Sequence, residues 1–431
     1  ARYLSRQRLK PSYAAFKKRY RRLMEKIPGG QKIYNVTHRL KSGVKKTLLH
    51  CSMFEEMGLQ YAGPIDGHDL DRLIEALNWA KNLREPVVVH VITQKGRGYS
   101  YSEQTPDLYH GVAPFDYRKG VLNGETACFS SVFGEEMERL AAQDFRVCAI
   151  TAAMTSGTGL TGFAARFPDR FFDVGIAEGH AVAMAGGLAA QELIPVVAIY
   201  STFLQRSYDM MIHDVALSGL HVVFAVDRAG LVGGDGETHQ GIYDVAYLTS
   251  IPNMRVYCPA SFAELPDMLR RAVFEHTGPV AVRYPKASEG RYADGGADRS
   301  RVLREGTDIT LITYGLTIND VLSAADRLEE DGRSAEVIKL GCVQPIDFTD
   351  IEASARKTGR VIVIEECAGT GCVGQRVLAG LAQRDVALKS ARLMNLGDRF
   401  IPQGTPEELR RLYGIDAAAL YEAAMEDCRR G

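Results

Sequence analysis

Residues 221–241 read HVVFAVDRAGLVGGDGETHQG. The first third is an unbroken apolar run closed by an acid. Continuous rather than alternating hydrophobicity marks a strand covered on both faces, as in parallel sheets. From Gly230 to Gly241 the chain then spends five of twelve residues on glycine, placed around Asp235 and His239. Glycines let a backbone turn sharply and approach a ligand closely. A glycine turn explains the glycines but leaves the acid and the imidazole without a purpose, so the stretch predicts a buried strand with a ligand-facing loop at its carboxyl end.

Working outward, similar runs recur between helical stretches: PVVVHVIT, FRVCAIT, RFFDVGIA, PVVAIYS, MRVYCP, VAVRYP, ITLITYG, AEVIKLG and RVIVIEE. Strands of this kind separated by helices imply parallel α/β layers. Composition shifts over Gly98–Asn123 and over a linker expected at Lys286–Arg304 divide the chain into blocks at 1–118, 119–288 and 300–431. The first block is thin, with a basic arm and one convincing strand.

The 431 residues are 46% hydrophobic and 24% charged with a net charge of -1, which gives no overall bias toward nucleic acid or anionic membranes. Charge is uneven, since residues 1–47 carry fifteen Lys or Arg against Glu25 alone. A solvated basic segment is the favoured reading of that arm over an RNA or lipid contact. Eight scattered cysteines without a CxxC pair read as reduced core and loop residues. With no apolar run of transmembrane length and no signal-peptide core at the start, the chain reads as cytoplasmic, without membrane or nucleic-acid partners.

In open parallel sheets, ligands sit beyond the carboxyl ends of strands. Four successive strand ends here offer Glu178 and His180, then Tyr200 to Asp209 with Arg206, then Arg228 with Asp235 and His239, then Lys286. Each alone has a plain structural alternative. Glu178 can be a helix cap, His180 a core histidine, Arg206 half of an ion pair, and Asp235–Gly236 a turn. Four in one domain make a site.

At these residues the wording becomes that of a family. DVGIAEGHAV, AIYSTFLQRSYDMMIHDVA, DRAGLVGGDGETHQG, RYPKA and FIPQGT, with the earlier YAGPIDGHDL, KGRGYS and YHGVAPFD, resemble the 1-deoxy-D-xylulose-5-phosphate synthase family in order and spacing. The resemblance implies α/β domains, successive doubly wound parallel sheets of the transketolase type: a thiamine diphosphate-binding fold plus a transketolase C-terminal-like domain. It implies a homodimer that joins pyruvate to D-glyceraldehyde 3-phosphate with loss of CO2, using thiamine diphosphate and Mg2+. In that scheme Glu178 bonds the aminopyrimidine, Phe203 packs on it and Tyr99 contacts the cofactor. His239 and His110 are proton donors, and Tyr200, Arg206, Arg228, Asp235 and Lys286 hold the acceptor's phosphate and hydroxyls.

Three departures stand out. Lys286 replaces the family's arginine, keeping the charge and losing the bidentate fork. Gly179 and the TAAMTSGTG loop (151–159) follow the pattern loosely. The family's metal-binding GDG motif and the Asn element after it have no counterpart, because the GDG at 234–236 already belongs to the acceptor side. No metal ligand is therefore assigned. The expectation is a synthase lacking most of its diphosphate-binding domain, that half being lost or supplied by a separate chain. The alternatives are a split transketolase or ketoacid dehydrogenase subunit, and a non-catalytic paralogue.

Overall fold

The structure is a computed structural model that describes residues 52–429 apart from 107, 113, 122–126 and 296–298, together with residues 19, 20, 23 and 24. The basic arm expected over 1–47 lies otherwise outside the described residues. The chain divides into two units, Ala1–Asn123 and Gly124–Gly431.

In the first unit, β1 (Gln60–Asp66) and β2 (Val87–Ile92) form a two-stranded parallel sheet joined by the helix Leu70–Lys81. Asp69 caps that helix, its carboxylate accepting from the Arg72 amide. β1 is a second strand where one was expected. Its bulge and the Gly63-Pro64 bond break the apolar run into short pieces, which hides it from a periodicity reading. Around the short helix Ser100–Gln104, the rings of Tyr99, Tyr101, Tyr109 and Phe115 pack together.

The second unit holds two sheets. The larger contains β3 (Val147–Thr151), β4 (Phe171–Asp173), β5 (Ile194–Tyr200), β6 (Val223–Asp227), β7 (Arg255–Tyr257) and β8 (Val280–Arg283). The smaller contains β9 (Ser300–Arg304), β10 (Ile309–Tyr314), β11 (Ala335–Leu340), β13 (Arg360–Ile364) and β14 (Ser390–Met394). β12 (Cys342–Gln344) leaves the smaller sheet's region to pair with β7, so the larger sheet runs β12-β7-β8-β6-β5-β3-β4 and the smaller β14-β13-β10-β11-β9. All ladders among the core strands are parallel, while β9 and β12 add antiparallel edges. β9 also corrects the linker expected over Lys286–Arg304. An edge strand with partly exposed residues shows no continuous apolar run and reads as loop.

Both sheets are covered on two faces, as the runs predict. One apolar cluster joins them, with Val197, Val226 and Ala281 on one side and Ile312, Ile338 and Val363 on the other. Each fully buried Val, Leu or Ile contributes about 1.5–3 kcal/mol, so this shared core welds the two sheets. Polar pins cross the same boundary. Lys339 of β11 and Tyr292 both donate to Glu264 Oε1, each at 2.8 Å, and Arg283 binds the buried Asp244 while lying over Tyr314.

Candidate active site

The carboxyl ends of β4, β5, β6 and β8 carry the groups singled out by the sequence. After β4 the helix Glu178–Ala189 begins with Glu178 as its first residue, where a carboxylate meets the positive end of the helix dipole. The helix is built from small residues because it packs closely. A side chain at Gly186 would collide with the Asp214 backbone, in the π turn Met211–Ala216. This pressing of helix against turn buries Glu178 to 4% exposure. Arg206, in the chain of short helical turns after β5, donates from Nη1 to Glu178 Oε1 at 2.6 Å. Its guanidinium also lies over the Phe203 ring, 5.0 Å from the centroid.

Phe203 is the hinge of an aromatic wall. It stacks with Tyr200 at 5.8 Å and meets the edge of His239 at 5.2 Å. His239 Nδ1 is 2.9 Å from the Thr238 hydroxyl, and the Thr238 carbonyl accepts from Thr202. The glycine loop is thereby tied to the end of β5. Burial pushes the Tyr200 phenol up, and its hydroxyl fills the space beside Gly157, where a Cβ would overlap it. That contact gives the loosely matching TAAMTSGTG loop a defined role as the back wall behind Tyr200.

On the other side of Tyr200 lies a charged cluster. Arg228 stacks on the ring at 3.7 Å and donates to Asp235 Oδ2 at 2.8 Å, and Lys286 reaches the same oxygen at 3.3 Å. Arg228 adopts φ +57°, a left-handed conformation that turns its side chain back over the strand ends. Gly230 pairs with Gly241 to close the loop at its base. The C-terminal segment holds the tip: Gly404 donates to the Gly233 carbonyl, Gln403 to the Gly234 carbonyl, and Glu366 accepts from Leu231. A Cβ at Gly233 would strike the Gly404 backbone, so glycine is required there by contact rather than by dihedral angle. This explains why FIPQGT, distant in sequence, belongs with the loop.

Phe203, Tyr200, Arg206, Arg228, Asp235, His239 and Lys286 thus follow the adjacent strands β5, β6 and β8, and Glu178 follows β4, one strand beyond β3. Tyr99 and His110 lie in the first unit, where the Tyr99 hydroxyl donates to the Tyr117 carbonyl at 2.7 Å and His110 is exposed. His180 is exposed at the third position of the helix. Sequence reasoning missed Asp227, the acid that closes β6, and Ser130, which donates to it. The available signal was a carboxylate ending an otherwise apolar run.

A buried carboxylate beside an aromatic face suits an aminopyrimidine ring, which needs one acceptor and one packing surface. Among the described residues no group of three or more His, Cys, Asp or Glu could hold a metal ion. Also among the described residues, no helix is long and apolar enough to cross a membrane.

Comparison with known proteins agrees with this geometry. Residues 126–290 match the transketolase pyrimidine-binding domain, residues 298–420 the transketolase C-terminal domain, and residues 1–93 a family described as 1-deoxy-D-xylulose-5-phosphate synthase. A 1-deoxy-D-xylulose-5-phosphate synthase of Desulforudis audaxviator is 44% identical over 438 residues, covering 100% of this chain and 69% of the relative. One from Clostridium kluyveri is 41% identical, covering 99% and 69%. Among solved structures, a split-gene transketolase described as an inactive beta4 tetramer is similar at TM-score 0.63 and 27% identity, over 70% of this chain and 99% of that one. With the site on its strand ends and relatives of this identity along its whole length, the chain belongs to the 1-deoxy-D-xylulose-5-phosphate synthase family.

Proposed function

We propose that Glu178 and Phe203 hold the aminopyrimidine of thiamine diphosphate, and that the Arg228–Asp235–Lys286 cluster with Tyr200 holds D-glyceraldehyde 3-phosphate. The reaction of the family is condensation of pyruvate with D-glyceraldehyde 3-phosphate, with loss of CO2, to 1-deoxy-D-xylulose 5-phosphate. The cofactor, when bound, supplies the carbanion that adds to the keto carbon and takes up the electrons of decarboxylation.

The protein's own contribution is orientation and proton handling. Glu178 would bond the pyrimidine ring through Oε2, the oxygen that Arg206 leaves free. His239, wedged against Phe203, presents Nε2 toward the reacting carbons while Thr238 occupies Nδ1. Arg206 uses only Nη1 on Glu178, which leaves the rest of its fork for a phosphate oxygen. Arg228 and Lys286 fix Asp235, whose second oxygen receives an acceptor hydroxyl. We also propose Tyr99 as a cofactor contact and His110 as a proton donor.

The carrying observation is the buried Glu178, bonded by Arg206 whose guanidinium lies over the Phe203 ring. In this reading Mg2+ and the diphosphate are held outside the described residues. We also propose a homodimer, and a cytoplasmic setting supported by the unpaired cysteines. The relatives at 41% and 44% identity carry the synthase name, and no observation favours the transketolase, dehydrogenase or non-catalytic alternatives. Calorimetric titration of the purified chain with thiamine diphosphate and Mg2+ tests the cofactor reading. Binding that weakens in Glu178→Ala and Phe203→Ala supports it, and binding unaffected by both overturns it.

A further inference from the structure

Behind the acceptor cluster lies a carboxylate that the reaction as described leaves unused. Asp227 ends β6, in register with Tyr200 on β5, and is fully buried. Its Oδ2 accepts from the Ser130 hydroxyl at 2.7 Å, on the helix Phe129–Gln143. Its Oδ1 has no hydrogen-bond partner among the described residues, and neither have the adjacent Arg228 Nε and the Tyr284 hydroxyl. The charged and titratable groups facing it are Arg228 next in sequence, Lys286 and Tyr284 past β8, and Tyr200 beside it. Burial pushes the Asp227 carboxyl up to about 7, against the opposing pull of Ser130, Arg228 and Lys286.

Two cations therefore serve two acids of unequal burial. While the cations face no ligand, they partly compensate an ionised Asp227. A phosphate dianion drawn to the same cations adds negative charge in a poorly solvated region and takes up that compensation. Ionised Asp227 then becomes costlier, and a proton is the simplest relief. We propose that Asp227 is a positioning residue of the acceptor site, and that occupation of Arg228 and Lys286 by the acceptor's phosphate drives a proton onto it. The proton comes from solvent and no covalent bond other than O–H forms. The inference rests on the reading of Arg228 and Lys286 as acceptor contacts.

The test is calorimetric titration of the purified full chain with D-glyceraldehyde 3-phosphate, just above neutral pH, in two buffers of widely different ionisation enthalpy. The difference reads protons taken up per acceptor bound. Net uptake is expected in the native protein, and Asp227→Asn is expected to bind the acceptor without it. Ser130→Ala removes a donor to the ionised carboxylate and should move the pH of greatest uptake upward, which decides the matter if Asp227→Asn fails to fold. Binding without uptake in the native chain, equal uptake in Asp227→Asn, or a profile unmoved by Ser130→Ala overturns the proposal alone. Absence of acceptor binding by the native chain overturns the acceptor-site reading and this inference with it.

Discussion

Arg206 donates to Glu178 across 2.6 Å, a largely exposed guanidinium closing over a buried carboxylate at a helix N-terminus. The pair shows how the two halves of the site are linked, since Arg206 also covers Phe203. Glu178→Ala is expected to lower turnover of the reconstituted enzyme by about 10²–10⁴-fold, the usual range for a lost proton-transfer group, with unchanged circular dichroism. Arg206→Ala leaves the acid without its cation, which should cost about 1–2 kcal/mol in denaturant unfolding and raise the Michaelis constant for the acceptor. Unchanged turnover in Glu178→Ala would remove that residue from the chemistry.

Lys286 shares Asp235 Oδ2 with Arg228 but offers a single point of charge. Lys286→Arg should lower the Michaelis constant for D-glyceraldehyde 3-phosphate several-fold and leave that for pyruvate alone. A shift in the pyruvate constant instead would place Lys286 elsewhere.

Gly157→Ala would push a methyl group into the Tyr200 hydroxyl. Displacing Tyr200 also displaces Arg228, which stacks on it. Steady-state kinetics should show weaker acceptor use with a smaller effect on pyruvate, and equal losses for both substrates would point to general unfolding.

Asp227 gives stability an unusual pH dependence. Burial pushes the carboxyl up to about 7 in the folded chain, above the ordinary carboxylate range, so between that range and about 7 the folded state holds a proton that the unfolded state has lost. Its contribution to stability is therefore full at low pH and falls as pH rises through that window, by roughly 4 kcal/mol as a ceiling. Asp227→Asn should flatten this part of the curve, measured by urea midpoints at pH 5 and pH 8. A larger gain at pH 5 than at pH 8 would contradict the sign.

Lys339 and Glu264 are both buried and pin β11 to the helix Glu264–Phe274. Glu264→Gln leaves the ammonium uncompensated and should cost about 3–5 kcal/mol, visible as a lower melting temperature. The double replacement Lys339→Met with Glu264→Gln should recover part of that loss.

Much of the fold was legible because burial on both faces of a parallel strand writes itself as a continuous apolar run. β3, β5, β6, β10, β11 and β13 all carry that signature. The elements that escaped, β1, β9, β12 and β14, are bulged, short or at sheet edges, where one face is open and the run is diluted. The candidate site was legible for a related reason. Chemistry in such sheets gathers at strand ends, so Glu178, Arg206, Asp235 and Lys286 could be found by looking just past each run.

Local sequence thus determined which segments are strands and which polar residues follow them. Only the tertiary structure decided which of those residues meet. Strand order places β5 between β3 and β6, which sets Tyr200 against Arg228 and Asp227, and the smaller sheet's return brings Gly404 onto Gly233. Partners 135 to 171 residues apart leave no mark in local pattern. Their pairing depends on how the buried faces close around a common core, which is a property of the whole packing and not of any one stretch.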